Sequence, residues 1–268
     1  MNWKSIANVL SVIMLICSAA IMLSSLVSYL TADPSNVYFP LLAYSLVLAV
    51  FSAVIFLLTR GSNELGTREG FLIVVCGWIT MVSAGAFPFY LIDGMKFVDC
   101  LFETASGFST TGASVIDSNL VLRSGEKLKG GLSALPNGIL FWRSMTHWLG
   151  GMGVIVLYIA IMPYLGVGGK KLYQAEVSSA SSSQLAPRIT DTAKILWGVY
   201  IIMTLVQTLL LLFGGMTLFD ALCHTFGTIA TGGFSTKQTS ISAFNSFYLE
   251  FVIMVFMLLG SSNFVLHH

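Results

Sequence analysis

No charged side chain occurs in residues 5–30, 38–59 or 70–91. Each run reaches the about 20 residues that an apolar helix needs to cross a bilayer. In hydrocarbon every backbone N–H and C=O must be paired within the protein, so such runs fold as helices. The same reading, with an occasional charge tolerated, places further spans at about 137–164, 191–214 and 244–266. Charged residues make up 9% of the 268-residue chain, against about 25% in soluble domains. The expected fold is therefore an all-α polytopic membrane protein, and a soluble enzyme is excluded. A net charge of +1 leaves no nucleic-acid footprint. The segment from Ile6 to Leu30 exceeds the about 7–15 residues of a signal-peptide core, so it is expected to remain as a transmembrane helix. Cys17, Cys76, Cys100 and Cys223 are scattered, with no CxxC or metal-type spacing, and read as small core residues.

Two apolar stretches, at about 95–108 and about 217–230, are too short to span. Apolar stretches of about 10–14 residues are more often re-entrant or buried. The first runs into Gly107-Phe108-Ser109-Thr110-Thr111-Gly112-Ala113-Ser114, the second into Ala230-Thr231-Gly232-Gly233-Phe234-Ser235. Non-helical backbone survives at membrane depth only inside protein or beside a water-filled cavity. A shift of 121 residues superposes the two: Asp99 falls on Asp220, Leu101 on Leu222, Thr104 on Thr225, Thr110 on Thr231, Gly112 on Gly233 and Ser114 on Ser235. The unit is helix, half-helix, strand, helix, present twice in one orientation, with the first two helices outside it. Internal repeats are a common way to build a membrane pathway around a shared axis.

The loops at 60–69 and 166–190 share one side and carry Arg60, Arg68, Lys170, Lys171 and Arg188. The positive-inside rule places them in the cytoplasm, so the half-helices enter from outside. The bias is small, because the opposite loops hold Lys96, Arg123, Lys127, Lys129 and Lys237.

A cation crossing the membrane exchanges its water shell for oxygens, which rings of backbone carbonyls supply. Aiming a carbonyl at an axis from an extended strand requires an unusual φ, which glycine adopts without steric cost. Gly112 and Gly233 are the expected positions. The hydroxyls of Thr110, Thr111, Ser114, Thr231 and Ser235 add oxygens or brace the strand. Each half-helix points its partly negative C-terminal end inward, which favours a cation. With no acidic ring, the pattern suits a monovalent ion better than Ca²⁺. Small-residue clusters also let helices pack closely, but two of them at equivalent places in a repeat favour the ion-facing reading.

The motifs Phe102-Glu103-Thr104-Ala105-Ser106-Gly107-Phe108-Ser109-Thr110-Thr111-Gly112-Ala113, Phe141-Trp142-Arg143-Ser144 with Trp148-Leu149-Gly150-Gly151-Met152-Gly153, and Pro187-Arg188-Ile189 resemble the Trk/Ktr/HKT superfamily of potassium transporters, in its bacterial TrkH/TrkG branch. The resemblance implies four helix–pore-helix–helix repeats around one pore, after two extra N-terminal helices. On that plan residues 1–66 are the extra helices, 67–165 the first repeat, 166–190 a cytoplasmic linker and 191–268 the second repeat. It implies a selectivity filter at Thr110, Thr111, Gly112 and Ala113 and at Thr231, Gly232, Gly233 and Phe234. It implies K⁺ as the transported ion, preferred over Na⁺ because the first filter carries glycine. It further implies no cofactor, a homodimer in the bacterial inner membrane, and a cytoplasmic nucleotide-binding regulatory subunit. The third and fourth repeats, and the gating loop of the third, are absent from the sequence, so an N-terminal fragment is expected in preference to two chains completing one ring.

Other residues have structural readings beside functional ones. Arg143 and His147, one turn apart, could tune the outer pore mouth; Arg143 could equally snorkel or pair with an acid. Glu103 and His224 align in the repeat and are expected to anchor the half-helices by hydrogen bonds. Asp99 and Asp220 are expected to cap them. Gly150, Gly151 and Gly153 allow close packing or a bend. Gly166-Val167-Gly168-Gly169-Lys170-Lys171 lacks the phosphate-loop pattern and reads as a turn. His267 and His268 lack partners for a metal. The expected function is thus a K⁺ uptake transporter's membrane subunit or its N-terminal part. The alternatives are a non-conducting assembly partner and an intramembrane protease built on Ser106 and His147.

Overall fold

The computed structural model describes residues 2–61, 67–92, 94–153 and 186–262. Among these the chain is all-helical apart from connections and one isolated bridge, Val121 to Lys127. The helices are α1 (Trp3–Leu30), α2 (Ser35–Thr59), α3 (Thr67–Ile92), α4 (Phe97–Phe108), α5 (Asn137–Met152), α6 (Ala186–Phe213), α7 (Leu218–Ile229) and α8 (Phe247–Ser261). Four of the described helices, α1, α2, α3 and α6, are long and apolar enough to cross a membrane.

The α1–α2 hairpin packs on the first repeat through one face of α1. Ile6, Val9, Ile13, Cys17, Ala20 and Ile21 are buried at helical spacing. The outer face of α2 keeps Val47, Leu57 and Leu58 exposed, as befits side chains whose solvent is lipid. Its Tyr44 hydroxyl donates to the Ala84 carbonyl of α3 at 2.7 Å. The turn after α1 does more. Asp33 accepts from the backbone N–H of Asn137 (3.2 Å) and of Gly138 (2.9 Å), while Ser28 donates to the same carboxylate at 2.7 Å. The residue before α5 is Pro136, which offers no side-chain cap. A carboxylate from the hairpin therefore caps a helix more than 100 residues away, where the orphan N–H groups and the helix dipole favour it.

The centre of the first repeat forms where α3, α4 and α5 meet at Gly85. A Cβ there would crowd Thr104 at 2.8 Å and Phe108 at 2.9 Å. Trp142 Nε1 donates to the Gly85 carbonyl at 2.9 Å, and Trp142 meets Phe108 edge-on. The first repeat is α3, α4, a connecting segment and α5, the second α6, α7, a connecting segment and α8; neither connection, at 111–116 or 232–235, is a β-strand of a sheet, and strand denotes only its place in the repeat. Beyond the strands the offset changes, because Asn137 opens α5 and Phe247 opens α8, an offset of 110 rather than 121. One packing contact confirms the new offset. A Cβ on Gly150 would overlap the Phe108 carbonyl at the end of α4, and one on Gly260 would crowd the Ile229 carbonyl, at 2.8 Å, at the end of α7. Gly150 and Gly260 are thus equivalent and let each inner helix touch the carbonyl end of its short helix.

Some boundaries differ from those expected. α5 closes at Met152, where Gly153 takes φ +73; the expected continuation over 154–164 lies outside the described residues, as do the turn at 166–171 and His267 and His268. α6 begins at Ala186, five residues before the expected start, because Pro187 in a first turn sacrifices no helical hydrogen bond. The solvent loop expected at 117–131 runs instead into a 3₁₀ turn at Gly131–Ala134.

Candidate functional site

The two short helices end through the same crossed pair of bonds, to which the second adds a bond from the Gly233 N–H to the Gly227 carbonyl at 3.1 Å. In α4 the Thr110 N–H bonds the Gly107 carbonyl at 3.0 Å and the Thr111 N–H bonds the Ser106 carbonyl at 3.0 Å. In α7 the Thr231 N–H bonds Thr228 at 2.9 Å and the Gly232 N–H bonds Gly227 at 2.9 Å. This crossed pair is the Schellman stop, which needs a left-handed residue just past the helix. That residue is usually glycine. Here it is Thr110, at φ +53, and Thr231, at φ +54. A β-branched side chain in this region costs about 1–2 kcal/mol, so the surrounding packing over-determines the turn in both repeats. The expectation of unusual φ at Gly112 and Gly233 holds, at +74 and +86. The strained threonines were not legible, because nothing in a threonine's identity signals φ > 0.

Three glycines line this region for three reasons. Gly233 is forced only by conformation, since a Cβ there meets nothing within 4 Å. Gly232 has no left-handed φ, but a Cβ would overlap the His147 ring. Gly112 is constrained twice, because besides its φ its Cβ would overlap the Gly232 carbonyl oxygen. The strands of the two repeats are thus in contact at Gly112 and Gly232. Thr111, Ala113, Thr231 and Gly233 are exposed, Thr110, Gly112 and Gly232 half-buried, and Phe234 buried. A cavity of about 480 Å³ flanks the second strand, walled by Thr231, Gly232, Gly233 and Phe234 and by Ile253, Met257 and Ser261 of α8.

Behind the strands lie the anchors. Glu103, fully buried, accepts from Arg143 Nε at 2.6 Å, from Ser114 Oγ at 2.9 Å and from the Val115 N–H at 3.1 Å. Arg143 also donates to the Ser235 carbonyl at 3.1 Å, and its guanidinium carbon sits 3.4 Å from the Phe234 ring centroid. One cation from α5 therefore joins the short helix of the first repeat to the strand of the second. Of the readings offered for Arg143, pairing with an acid is the one observed. In the second repeat His224 stands where Glu103 stands; its Nδ1 pairs with the Asp220 carbonyl at 2.8 Å and its Nε2 with Ser235 Oγ at 2.9 Å. Ser114 and Ser235 play one further matched part, accepting from the N–H groups of Ile116 (3.1 Å) and Lys237 (3.0 Å).

The capping expectation needs correction. Thr217, not Asp220, is the N-cap of α7, accepting from the Asp220 N–H at 3.1 Å. Asp220 instead accepts from Thr217 Oγ1 at 3.0 Å and from Thr236 Oγ1 at 2.6 Å, with Lys237 Nζ at 3.6 Å. Asp220 is not the cap itself but lies in the first turn, where a carboxylate favours the positive helix end as expected. In α4 the N-cap is Lys96, which makes no side-chain cap bond, and Asp99 lies in the first turn. Ser106 Oγ has no hydrogen-bond partner among the described residues, so it and His147 do not form the nucleophile–base pair a protease needs. Nor do the described residues contain a group of three or more His, Cys, Asp or Glu able to hold a metal. The oxygens on offer are carbonyls and hydroxyls. Gly150 and Gly151 pack closely as expected, the latter against Ala230 of the second repeat.

A family model described as "TrkH: Cation transport protein" matches residues 41–268. The Trk system potassium uptake protein TrkH of Salmonella typhimurium is 38% identical over 270 residues, covering 100% of this chain and 53% of that protein. TrkG of Escherichia coli is 40% identical over 210 residues, covering 77% of this chain and 41% of the relative. The crystal structure of the potassium transporter TrkH from Vibrio parahaemolyticus superposes with a TM-score of 0.78 at 36% identity, over 100% of this chain and 51% of that one. The chain spans about half the length of these relatives.

Proposed function

The chain belongs to the TrkH family of cation transport proteins, and from that premise we propose that it forms the first two pore repeats of a K⁺ uptake transporter's membrane subunit. In this reading residues 1–66 are the extra helices, 67–165 and 191–268 the two repeats, and 166–190 a cytoplasmic linker. Ions shed water at the carbonyls of Thr110, Thr111, Gly112 and Ala113 and of Thr231, Gly232, Gly233 and Phe234. The subunit sits in the bacterial inner membrane, works as a homodimer and receives its control from a nucleotide-binding cytoplasmic partner.

The observation that carries the reading is the repetition of one costly backbone path. Both short helices stop through a left-handed threonine, and both strands then turn through a left-handed glycine. Close packing of helices needs small residues but not this conformation. An ion-facing strand needs it, because it turns successive carbonyls toward one side. The contact of Gly112 with Gly232 supports the reading further, since strands that surround an ion must converge.

The test is uptake. The transporter containing this chain should restore growth at low K⁺ to a bacterium lacking K⁺ uptake systems. Gly112→Ala should return uptake to background at unchanged protein level, because the methyl meets both a forbidden φ and a carbonyl oxygen. Wild-type uptake by that variant overturns the assignment. Ion flux through the purified chain in liposomes separates conduction from the alternative of a non-conducting assembly partner.

A further inference from the structure

We propose that His147 is the residue that positions the second ion-facing strand, and that through it this chain sets K⁺ over Na⁺ discrimination. The inference rests on reading residues 231–234 as such a strand.

His147 lies in α5, fully buried. Its ring centroid is 3.9 Å from that of Phe234, with the planes inclined at 37°. The three atoms that a Cβ on Gly232 would first meet all belong to the His147 ring. The backbone of Gly232 would accept a side chain, because its φ is not left-handed. Glycine stands at 232 because of the imidazole. On the other side, the Gly232 carbonyl oxygen is what a Cβ on Gly112 would overlap. Gly232 is therefore clasped between the ring behind it and the first strand in front of it. Any recoil of the ring moves the carbonyl at the point where the two strands meet.

The contact works by shape. The His147 ring packs directly against the Gly232 backbone, with Cδ2, Nε2 and Cγ the nearest atoms to a Cβ there, so the bulk of the ring sets the strand at 232. One turn earlier, Arg143 fixes the same strand differently, by its bond to the Ser235 carbonyl. The second strand is thus held at 235 by a charge-assisted bond and at 232 by a rigid plane. Carbonyl sites separate K⁺ from Na⁺ by the spacing and number of their oxygens. A plane that sets one of those oxygens sets the selectivity.

A size exchange tests this. Gly232→Ala, His147→Ala, the double variant and Gly112→Ala are made in the complete transporter. K⁺ and Na⁺ uptake are measured in proteoliposomes, with gel filtration to quantify folded protein. Gly232→Ala should lower K⁺ uptake about tenfold, and His147→Ala should lower the K⁺/Na⁺ uptake ratio about fivefold, effects of the size seen for residues in direct contact. The double variant should recover about fivefold over Gly232→Ala, because the new methyl enters the space the ring leaves. His147→Val replaces His147→Ala in both arms if the latter does not fold. A double variant no better than Gly232→Ala, together with a wild-type ratio in the His147 variant, overturns the proposal and leaves His147 as core filler. If Gly112→Ala also keeps the wild-type ratio, the ion-facing reading itself fails, and this inference with it.

Discussion

In the first repeat the strand is held down by a carboxylate, Glu103, closed by a guanidinium; in the second the equivalent position is an imidazole, His224, closed by a hydroxyl. The strands themselves differ little. Their crossed helix-stop bonds, left-handed residues and N–H-to-serine bonds correspond, and the second repeat adds one bond, from the Gly233 N–H to the Gly227 carbonyl. The backbone path is what the two repeats share, and the means of fastening it is free to vary. The inner helices show the same divergence. At the offset of 110, Arg143 and His147 of α5 correspond to Ile253 and Met257 of α8. The first pair grips the neighbouring strand, while the second pair walls the open cavity beside Gly233. A charged clamp sits where two repeats meet, and an apolar wall where the described residues leave space.

The largest expected difference comes from breaking the two anchors. Arg143→Ala leaves Glu103 as an uncompensated buried charge and should cost about 3–5 kcal/mol. His224→Ala removes neutral hydrogen bonds and should cost about 1–3 kcal/mol. Heating the detergent-solubilised protein and following the folded fraction by gel filtration compares them; equal losses would mean that the buried pair is no more than a neutral anchor. A smaller contrast lies in the caps of the inner helices. Asp33→Ala strips α5 of its distant cap at about 1–2 kcal/mol. Ser246→Ala should cost less, about 0.5 kcal/mol, because the bond that Ser246 Oγ accepts from the Leu249 N–H is long at 3.4 Å. The same melting measurement ranks the pair. The smallest effect should make the repeats more alike. Lys96 and Thr217 share N-cap backbone angles, −66° and 144° against −64° and 154°, but only Thr217 bonds the helix. Lys96→Thr should therefore raise stability by about 0.5–1 kcal/mol, the amount that Thr217→Ala removes. A destabilised Lys96→Thr variant would show that the lysine has a task its exposure does not reveal.

Much of the membrane architecture was legible. The apolar runs set α1, α2, α3 and α6 to within about five residues, since the length of a helix that crosses a bilayer follows from the rise per residue and the thickness of hydrocarbon, whereas the longer helices expected at 137–164 and 244–266 are described only over Asn137–Met152 and Phe247–Ser261. The half-length stretches were visible for the same reason, and the offset of 121 exposed the matched glycines. The offset of 110 was not visible. The outer connections of the repeats differ in length, so only the packing of Gly150 and Gly260 on the ends of their short helices reveals it. Asp33 drew no attention, because its partners are backbone groups of a helix that is adjacent only after folding.

The sequence by itself determined which segments are long and apolar enough to cross a bilayer, which are half that length, and that Gly112 and Gly233 take a left-handed φ. These depend on local composition measured against lipid, or on a residue's own steric freedom. Only the tertiary structure decided that Arg143 closes on Glu103 and reaches Ser235, that His147 stands behind Gly232, and that a threonine rather than a glycine bears the left-handed turn. Lipid is as apolar as the helices it surrounds, so hydropathy does not choose which helix faces turn inward. That choice falls to close packing and to buried polar groups that must find partners, and both exist only once the helices have met.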